Sequence, residues 1–307
     1  MKKNAPKPKQ DPSMLRNFSV RSAKQFAQQL AQQIGPEIAQ KIGQKIGQKI
    51  GPEVAQTLGR GLSSGADHLA APAERLVYRA LPRFVMEIAR RYFRLEVEGL
   101  ENIPKRGSGI IAPNHSGYSG FDAFLLGHEI HRGTGRLPRI LTHHFWFLTS
   151  ATAIPAEKVG FIEATTANGL AQLKKKNLIV LFPEGEYGNF KPTTKRYHLQ
   201  EFKRGFVRMA LETQSPIIPT LVIGAEETHI NLAQLRFTRF LRGAVLPLPL
   251  NIIPLPVRWK IIFLPPIHLP YAPSAAEDRE LVRELAQEIR ESMQRALSDA
   301  VKARSNW

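Results

Sequence analysis

Hydrophobic and polar positions change rhythm twice along this chain. From Ile34 to Leu58, apolar residues fall at 34, 38, 42, 46, 50, 54 and 58, each followed by Gly or Ala. Four residues turn an ideal helix by about 400°, so such a stripe drifts about 40° per repeat around the axis. A helix here would carry a spiralling apolar ridge flanked by small residues, with Lys and Gln opposite. Its glycines cost up to about 1 kcal/mol each relative to Ala. Two readings stay open: a helix completed by membrane contact or helix pairing, or a low-complexity linker. Residues 1–13, polar, basic and rich in proline, are expected to be disordered.

The second rhythm is amphipathic. Leu76, Val77, Leu81, Phe84, Val85, Ile88, Ala89, Tyr92 and Phe93 recur at helical spacing, with Arg83, Arg90, Arg91 and Arg94 between them. This predicts a basic amphipathic helix, suited either to a membrane interface or to capping a domain.

Beyond Phe93, short apolar runs alternate with helical stretches, the pattern of an α/β domain. Strands are expected at Leu95–Leu100, Gly109–Ala112, Arg139–Thr142, Val159–Ile162, Asn177–Phe182, Ile217–Gly224 and Arg258–Leu264. Helices are expected from Phe121, over Ala167–Lys176 and over Phe202–Thr213. Residues 240–270 are dense in Leu, Ile and Pro, and the alternating prolines exclude a regular helix or a central strand. That segment suits lipid contact as an exposed loop, or packing on the core. The last helix shows a capping box, Ser274-Ala275-Ala276-Glu277, and a stripe of Leu281, Leu285, Ile289, Met293 and Leu297.

Composition adds three constraints. Hydrophobic residues make up 43% of the 307, enough for a sizeable core. The net charge of +17 calls for an anionic partner, a lipid surface or nucleic acid. A net +8 of it lies in residues 1–65, and no nucleic-acid motif accompanies the charge, so an anionic membrane surface is favoured. The absence of cysteine excludes disulfides, thiol nucleophiles and Cys-ligated zinc. No run reaches the roughly 20 apolar residues of a spanning helix, and the basic N-terminus lacks the apolar core of a signal peptide. The protein is therefore expected at the cytoplasmic face of a membrane, peripheral or monotopic.

Candidate chemistry sits at strand ends. Asn114-His115-Ser116 follows the Gly109–Ala112 run, and Asp122 opens the next helix. A His beside a carboxylate can act as a general base, because the carboxylate fixes the ring tautomer and steadies the imidazolium. A loop His satisfied by backbone is the plain alternative. The strongest strand runs directly into Phe182-Pro183-Glu184-Gly185-Glu186, where open α/β sheets bind ligands. Residues 191–208 then carry a net +5, including Lys191, Lys195, Arg196, Lys203 and Arg204. His143-His144 lacks a third ligand at a useful spacing, so no metal site is expected.

Asn114-His115-Ser116 with Asp122, followed by Phe182-Pro183-Glu184-Gly185, Phe202-Lys203-Arg204-Gly205 and Pro216-Ile217-Ile218-Pro219, resembles the glycerolipid acyltransferase superfamily. The resemblance covers residues 95–270, in the family's order and at about its spacing. It implies a mixed central sheet flanked by helices, and an acyltransferase of the phospholipid-synthesis type. The family's bacterial type member makes phosphatidic acid from lysophosphatidic acid. His115 would take the proton from an acceptor hydroxyl as it attacks an acyl thioester, and Asp122 would orient His115. Asn114, Ser116, Glu184, Gly185 and Glu186 would shape the substrate site.

This chain departs from the family pattern in three places. Six residues separate His115 from Asp122 where the family has four. Glu163-Ala164-Thr165-Thr166 and Glu186-Tyr187-Gly188 stand where arginines contact an acceptor phosphate. Either Lys191, Lys195, Arg196, Lys203 or Arg204 supplies that charge, or the acceptor lacks a simple phosphomonoester. The second option is favoured.

The expected organisation is therefore a basic low-complexity, partly helical extension at 1–65 and amphipathic basic helices at the membrane side at 66–95. An acyltransferase-like α/β domain follows at 96–270, and a packed C-terminal helix at 271–307. The expected partners are an acyl thioester (acyl-CoA or acyl-carrier protein, with no further cofactor), a lipid acceptor and an anionic membrane. A non-catalytic lipid-surface protein on the same fold is the alternative.

Overall fold

The computed structural model describes residues 81–116, 120–147, 156–237 and 244–304. The 34–58 repeat, the 1–13 tail and the start of the expected amphipathic helix lie outside them. In order, the elements are α1 (Leu81–Tyr92), β1 (Glu96–Glu98), β2 (Gly109–Pro113), α2 (Phe121–Thr134), β3 (Arg139–Thr142), β4 (Phe161–Glu163), α3 (Thr166–Lys174) and β5 (Leu178–Val180). There follow α4 (Gly185–Asn189), α5 (Gly205–Thr213), β6 (Ile217–Ile223), β7 (Asn231–Phe237), β8 (Ala244–Pro249), β9 (Lys260–Phe263) and α6 (Arg279–Arg304).

Seven strands form one mixed sheet in the order β1-β9-β6-β2-β5-β3-β4. β6, β2, β5, β3 and β4 run parallel, while β9 pairs antiparallel with β6 and carries β1 with it. This is the expected α/β architecture with a mixed central sheet. β2 and β6 are buried along their whole length because helices cover both faces. The strand period of two then divides the core. Ile110 and Ala112 join the cluster under α3, α5 and α6, whereas Ile111 joins Leu125, Leu126 and Ile130 of α2 with Met86 and Ala89 of α1.

α1 is amphipathic, but its two apolar edges have different fates. Met86 and Ala89 are buried, whereas Val85, Ile88 and Tyr92 are exposed. Arg90 is drawn inward: its Nε lies 3.2 Å from the buried Glu129, which Arg132 also holds at 2.7 Å. The helix therefore caps the domain with one side and leaves the other open.

Two boundaries differ from expectation. α6 begins after Asp278, whose Oδ1 accepts from the N–H groups of Glu280 and Leu281, both at 3.0 Å. Pro273–Glu277 is instead a short 3-10 turn, so Ser274 does not cap the helix. A carboxylate placed to accept two first-turn amides provides the stronger stop. The second difference is a two-stranded antiparallel ribbon, in which β7 pairs with β8 from the Pro-rich region. β8 holds Pro247 and Pro249, which a ribbon tolerates because one edge of each strand needs no ladder donor. Among the described residues no helix is long and apolar enough to cross a membrane.

Candidate active site

The parallel strands β2, β5 and β6 end on the same side of the sheet, and each hands over a polar residue there. β2 leads into Asn114-His115-Ser116, β5 into Phe182-Pro183-Glu184, and β6 into Ala225-Glu226. Asn114 is fully buried, and its amide bridges the backbone of Val222: Nδ2 donates to the carbonyl at 3.0 Å, and Oδ1 accepts from the N–H at 2.7 Å. It splices the His115 loop onto β6. Both ends of the amide, expected from the sequence to contact substrate, are engaged within the protein.

Asp122 comes back to His115 despite the longer gap. Gly120 takes φ +73°, a left-handed conformation that suits glycine, and caps α2. Asp122 thus occupies the first turn of α2, where the helix dipole favours a carboxylate. Its Oδ2 lies 2.6 Å from His115 Nδ1 and accepts from the Ser116 N–H at 2.9 Å; Oδ1 accepts from the Ala123 N–H at 2.8 Å. An ionised carboxylate only accepts, so the shared proton sits on Nδ1 and the Nε2 lone pair is left for chemistry. Ser116 is buried and contributes this backbone donor. Residues 117–119 of the loop lie outside the described ones.

Glu184 fixes the same loop from the opposite strand. Its Oε1 accepts from the His115 N–H at 3.0 Å, while Oε2 accepts from the Gln200 N–H at 2.8 Å and meets Lys191 Nζ at 3.4 Å. The Phe182 ring stacks on the imidazole with centroids 3.9 Å apart and planes 25° apart. His115 is thereby held at its backbone, its ring face and its Nδ1.

Beneath Glu184 lies a group the sequence reading missed. Lys191 Nζ sits 3.0 Å from Glu226 Oε1, with all three side chains buried. Glu226 Oε2 also accepts from the Tyr197 N–H at 2.7 Å. Burial pushes the Glu226 carboxyl up to about 7, with Lys191 opposing the rise and the Glu184 charge adding to it. Burial works against the Lys191 charge, but Glu226 and Glu184 together outweigh it and hold its pKa above the usual lysine value. Lys191, expected among the substrate contacts, thus has its charge partners inside the protein. The only sequence signal for Glu226 was its place just past the end of a buried strand.

Gly185, Glu186, Lys203 and Arg204 lie on the open side. Gly185 has φ +58°, and a Cβ there would stand 2.9 Å from Lys203 Nζ. The Lys203 N–H donates to the Pro183 carbonyl at 2.8 Å, which ties the two loops together. Glu184, Tyr187, Glu201, Phe202, Lys203 and Arg204 line a cleft of about 410 Å³, with Lys203 and Arg204 exposed. His143, at the end of β3, titrates lower than an ordinary histidine. Burial is the largest cause and the His144 and Lys203 charges add to it, while Glu186 opposes them. Lys195 and Arg196 are exposed on the loop after α4. Among the described residues no group of three or more His, Asp or Glu is arranged to hold a metal.

A sequence model described as Acyltransferase matches residues 94–223, the span from β1 to the end of β6 that carries every residue of the site except Glu226. An uncharacterized protein of Mycobacterium tuberculosis is 34% identical over 243 residues, covering 75% of this chain and 67% of that protein. An uncharacterized protein of Mycobacterium leprae is 33% identical over 236 residues, covering 73% and 64%. The crystal structure of the 1-acyl-sn-glycerophosphate acyltransferase from Thermotoga maritima superposes with a TM-score of 0.50 at 17% identity, over 80% of this chain and 87% of that one. That likeness concerns the fold. With the family match covering the site-bearing strands and relatives 34% identical over most of the chain, the chain belongs to the Acyltransferase family.

Proposed function

We propose that this acyltransferase moves a fatty acyl group from an acyl thioester, acyl-CoA or acyl-carrier protein, to a hydroxyl of a glycerolipid-like acceptor at the cytoplasmic surface of a membrane. The observation that carries this reading is the 2.6 Å contact between His115 Nδ1 and a buried Asp122, with Nε2 left as base. In the reaction His115 Nε2 accepts the acceptor's hydroxyl proton as its oxygen attacks the thioester carbonyl. The tetrahedral intermediate collapses, the C–S bond breaks, and the departing thiolate takes the proton from the imidazolium. Products are the ester and the free thiol, and no acyl-enzyme forms. Asp122 stabilises the imidazolium while it exists.

The acceptor's polar head is read from the cleft. The family's phosphate-contacting arginines are replaced, Lys191 is occupied internally, and the exposed Lys203 and Arg204 bring cationic charge to the cleft wall. A lysophospholipid or neutral acylglycerol fits a site with that weaker anion grip; the two exposed cationic side chains also suit the phosphates of the donor.

Because the chain has no cysteine, released thiol can be titrated directly against a panel of lipid acceptors. The expected outcome is acceptor-dependent thiol release that His115→Ala lowers by about 10²–10⁴-fold. Unchanged turnover in that variant defeats the mechanism. A purely lipid-binding protein would release no thiol with any acceptor.

A further inference from the structure

Outside the site, the most exposed apolar side chains of the described residues gather on one loop: Ile252 is 84% exposed, Ile253 78% and Leu250 67%. We propose that this loop, with the base of the β7–β8 ribbon and the open side of α1, is a platform that docks onto an anionic phospholipid bilayer and inserts Ile252 and Ile253. The proposal rests on the lipid-acceptor reading above, and names the surface through which that substrate is reached.

The loop is built to present these side chains. Asn251 Nδ2 donates to the carbonyls of Thr228 at 3.1 Å and Ile253 at 2.7 Å, and its Oδ1 accepts from the Ile230 N–H at 2.8 Å. The Leu250 and Leu255 N–H groups donate to the Ile230 and Thr228 carbonyls, both at 2.8 Å. Tyr92 Oη donates to the Pro254 carbonyl at 2.6 Å, and Arg94 to that of Pro256 at 2.5 Å. Irregular backbone enters a lipid interface at low cost only when its polar groups are already paired. Here the protein itself pairs many of them.

The chemistry selects lipid as occupant. From Thr228 to Trp259 the sequence contains no Asp or Glu, while Arg236, Arg239, Arg242 and Arg258 are basic. Isoleucines on the loop, with Tyr92 and Arg94 bonded to the carbonyls of Pro254 and Pro256 beside them and Arg258 exposed, follow the layering of an interfacial anchor, with apolar chains deepest and cations among headgroups. The platform is also continuous with the candidate site. Asn231 Nδ2 donates to the Phe190 and Lys191 carbonyls at 2.7 and 3.0 Å, and Gln234 Nε2 donates to the Tyr187 carbonyl at 3.1 Å. Tyr187 is a wall of the cleft. A bilayer seated here lies next to where the acceptor would enter.

The cysteine-free chain allows a direct test. Full-length Ile252→Cys, labelled with a polarity-sensitive fluorophore, is titrated with phosphatidylcholine vesicles with and without phosphatidylglycerol. Glu288→Cys, on the exposed side of α6, serves as the comparison. The expected result is a blue-shifted, brighter label at 252 on anionic vesicles and an unchanged one at 288. Ile252→Glu/Ile253→Glu is expected to weaken vesicle binding at least about tenfold while keeping the wild-type melting temperature, since both side chains already face water. Four results overturn the proposal: vesicle-bound protein with an unresponsive 252 label; an equal response to pure phosphatidylcholine; a vesicle-free response that grows with protein concentration; or a label already shielded in dilute protein. No turnover enters the readout, so a failed acyl-transfer assay leaves this test standing.

Discussion

Asp122 makes three polar contacts while fully buried, and its value to His115 depends on charge as well as shape. Asp122→Asn keeps the volume but can donate toward Nδ1, which favours the tautomer that puts the proton on Nε2. Thiol release is expected to fall by about 10³–10⁴-fold with circular dichroism unchanged. Glu226 makes a different prediction. Its folded pKa of about 7 exceeds its ordinary 4.5, so between those values the native state binds more protons than the unfolded one. Its contribution to stability therefore falls as pH rises through that window. Urea midpoints measured across it should show the wild type losing ground relative to Glu226→Gln, and a constant difference between the two would contradict this. The pair His115 and Asp122 could be picked out of the sequence because strand-end polar residues and a family resemblance both marked them. The Lys191–Glu184–Glu226 cluster could not. A lysine in a basic run looks like a surface charge until the fold buries it against two acids from other strands.

At the level of elements, α4 is positioned by a close approach. A Cβ on Gly188 would lie 2.4 Å from that of Glu184 and 2.7 Å from its carboxylate carbon. Gly188→Ala is expected to push Glu184 away from the His115 N–H, costing about 1–3 kcal/mol in stability and lowering turnover further than that loss explains. Gly205→Ala is the comparison, because its Cβ would meet only Thr166 Oγ1 at 3.8 Å. It should stay within about 0.5 kcal/mol of wild type in thermal unfolding. The cap of α6 belongs here too: Asp278→Ala should cost about 1 kcal/mol and Ser274→Ala much less. Sequence reasoning chose Ser274 because a Ser-x-x-Glu pattern is local. The structure chose Asp278 because the chain turns there after Pro273.

Over the whole molecule, stability should be uneven. β2 and β6 are buried on both faces, whereas the β7–β8 ribbon has two strands and exposed Leu232, Leu235 and Leu248. Native-state hydrogen exchange is expected to protect Ile110, Ile111 and Val222 up to the global unfolding free energy, and to find the ribbon opening well below it. Uniform protection would mean that the ribbon is more tightly bound to the domain than its pairing indicates. The sequence alone determined the α/β class and most strands and helices, because periodicity is a property of neighbouring residues, and it marked the His115–Asp122 pair only together with the family resemblance. Tertiary structure decided what depends on distant ones: that a six-residue gap still closes to 2.6 Å, that Asn114 is a splice and Lys191 an internal counter-ion, and which apolar side chains stay in water. Those outcomes follow from which strands lie side by side, and in this sheet β2 has as its neighbours two strands far from it in sequence.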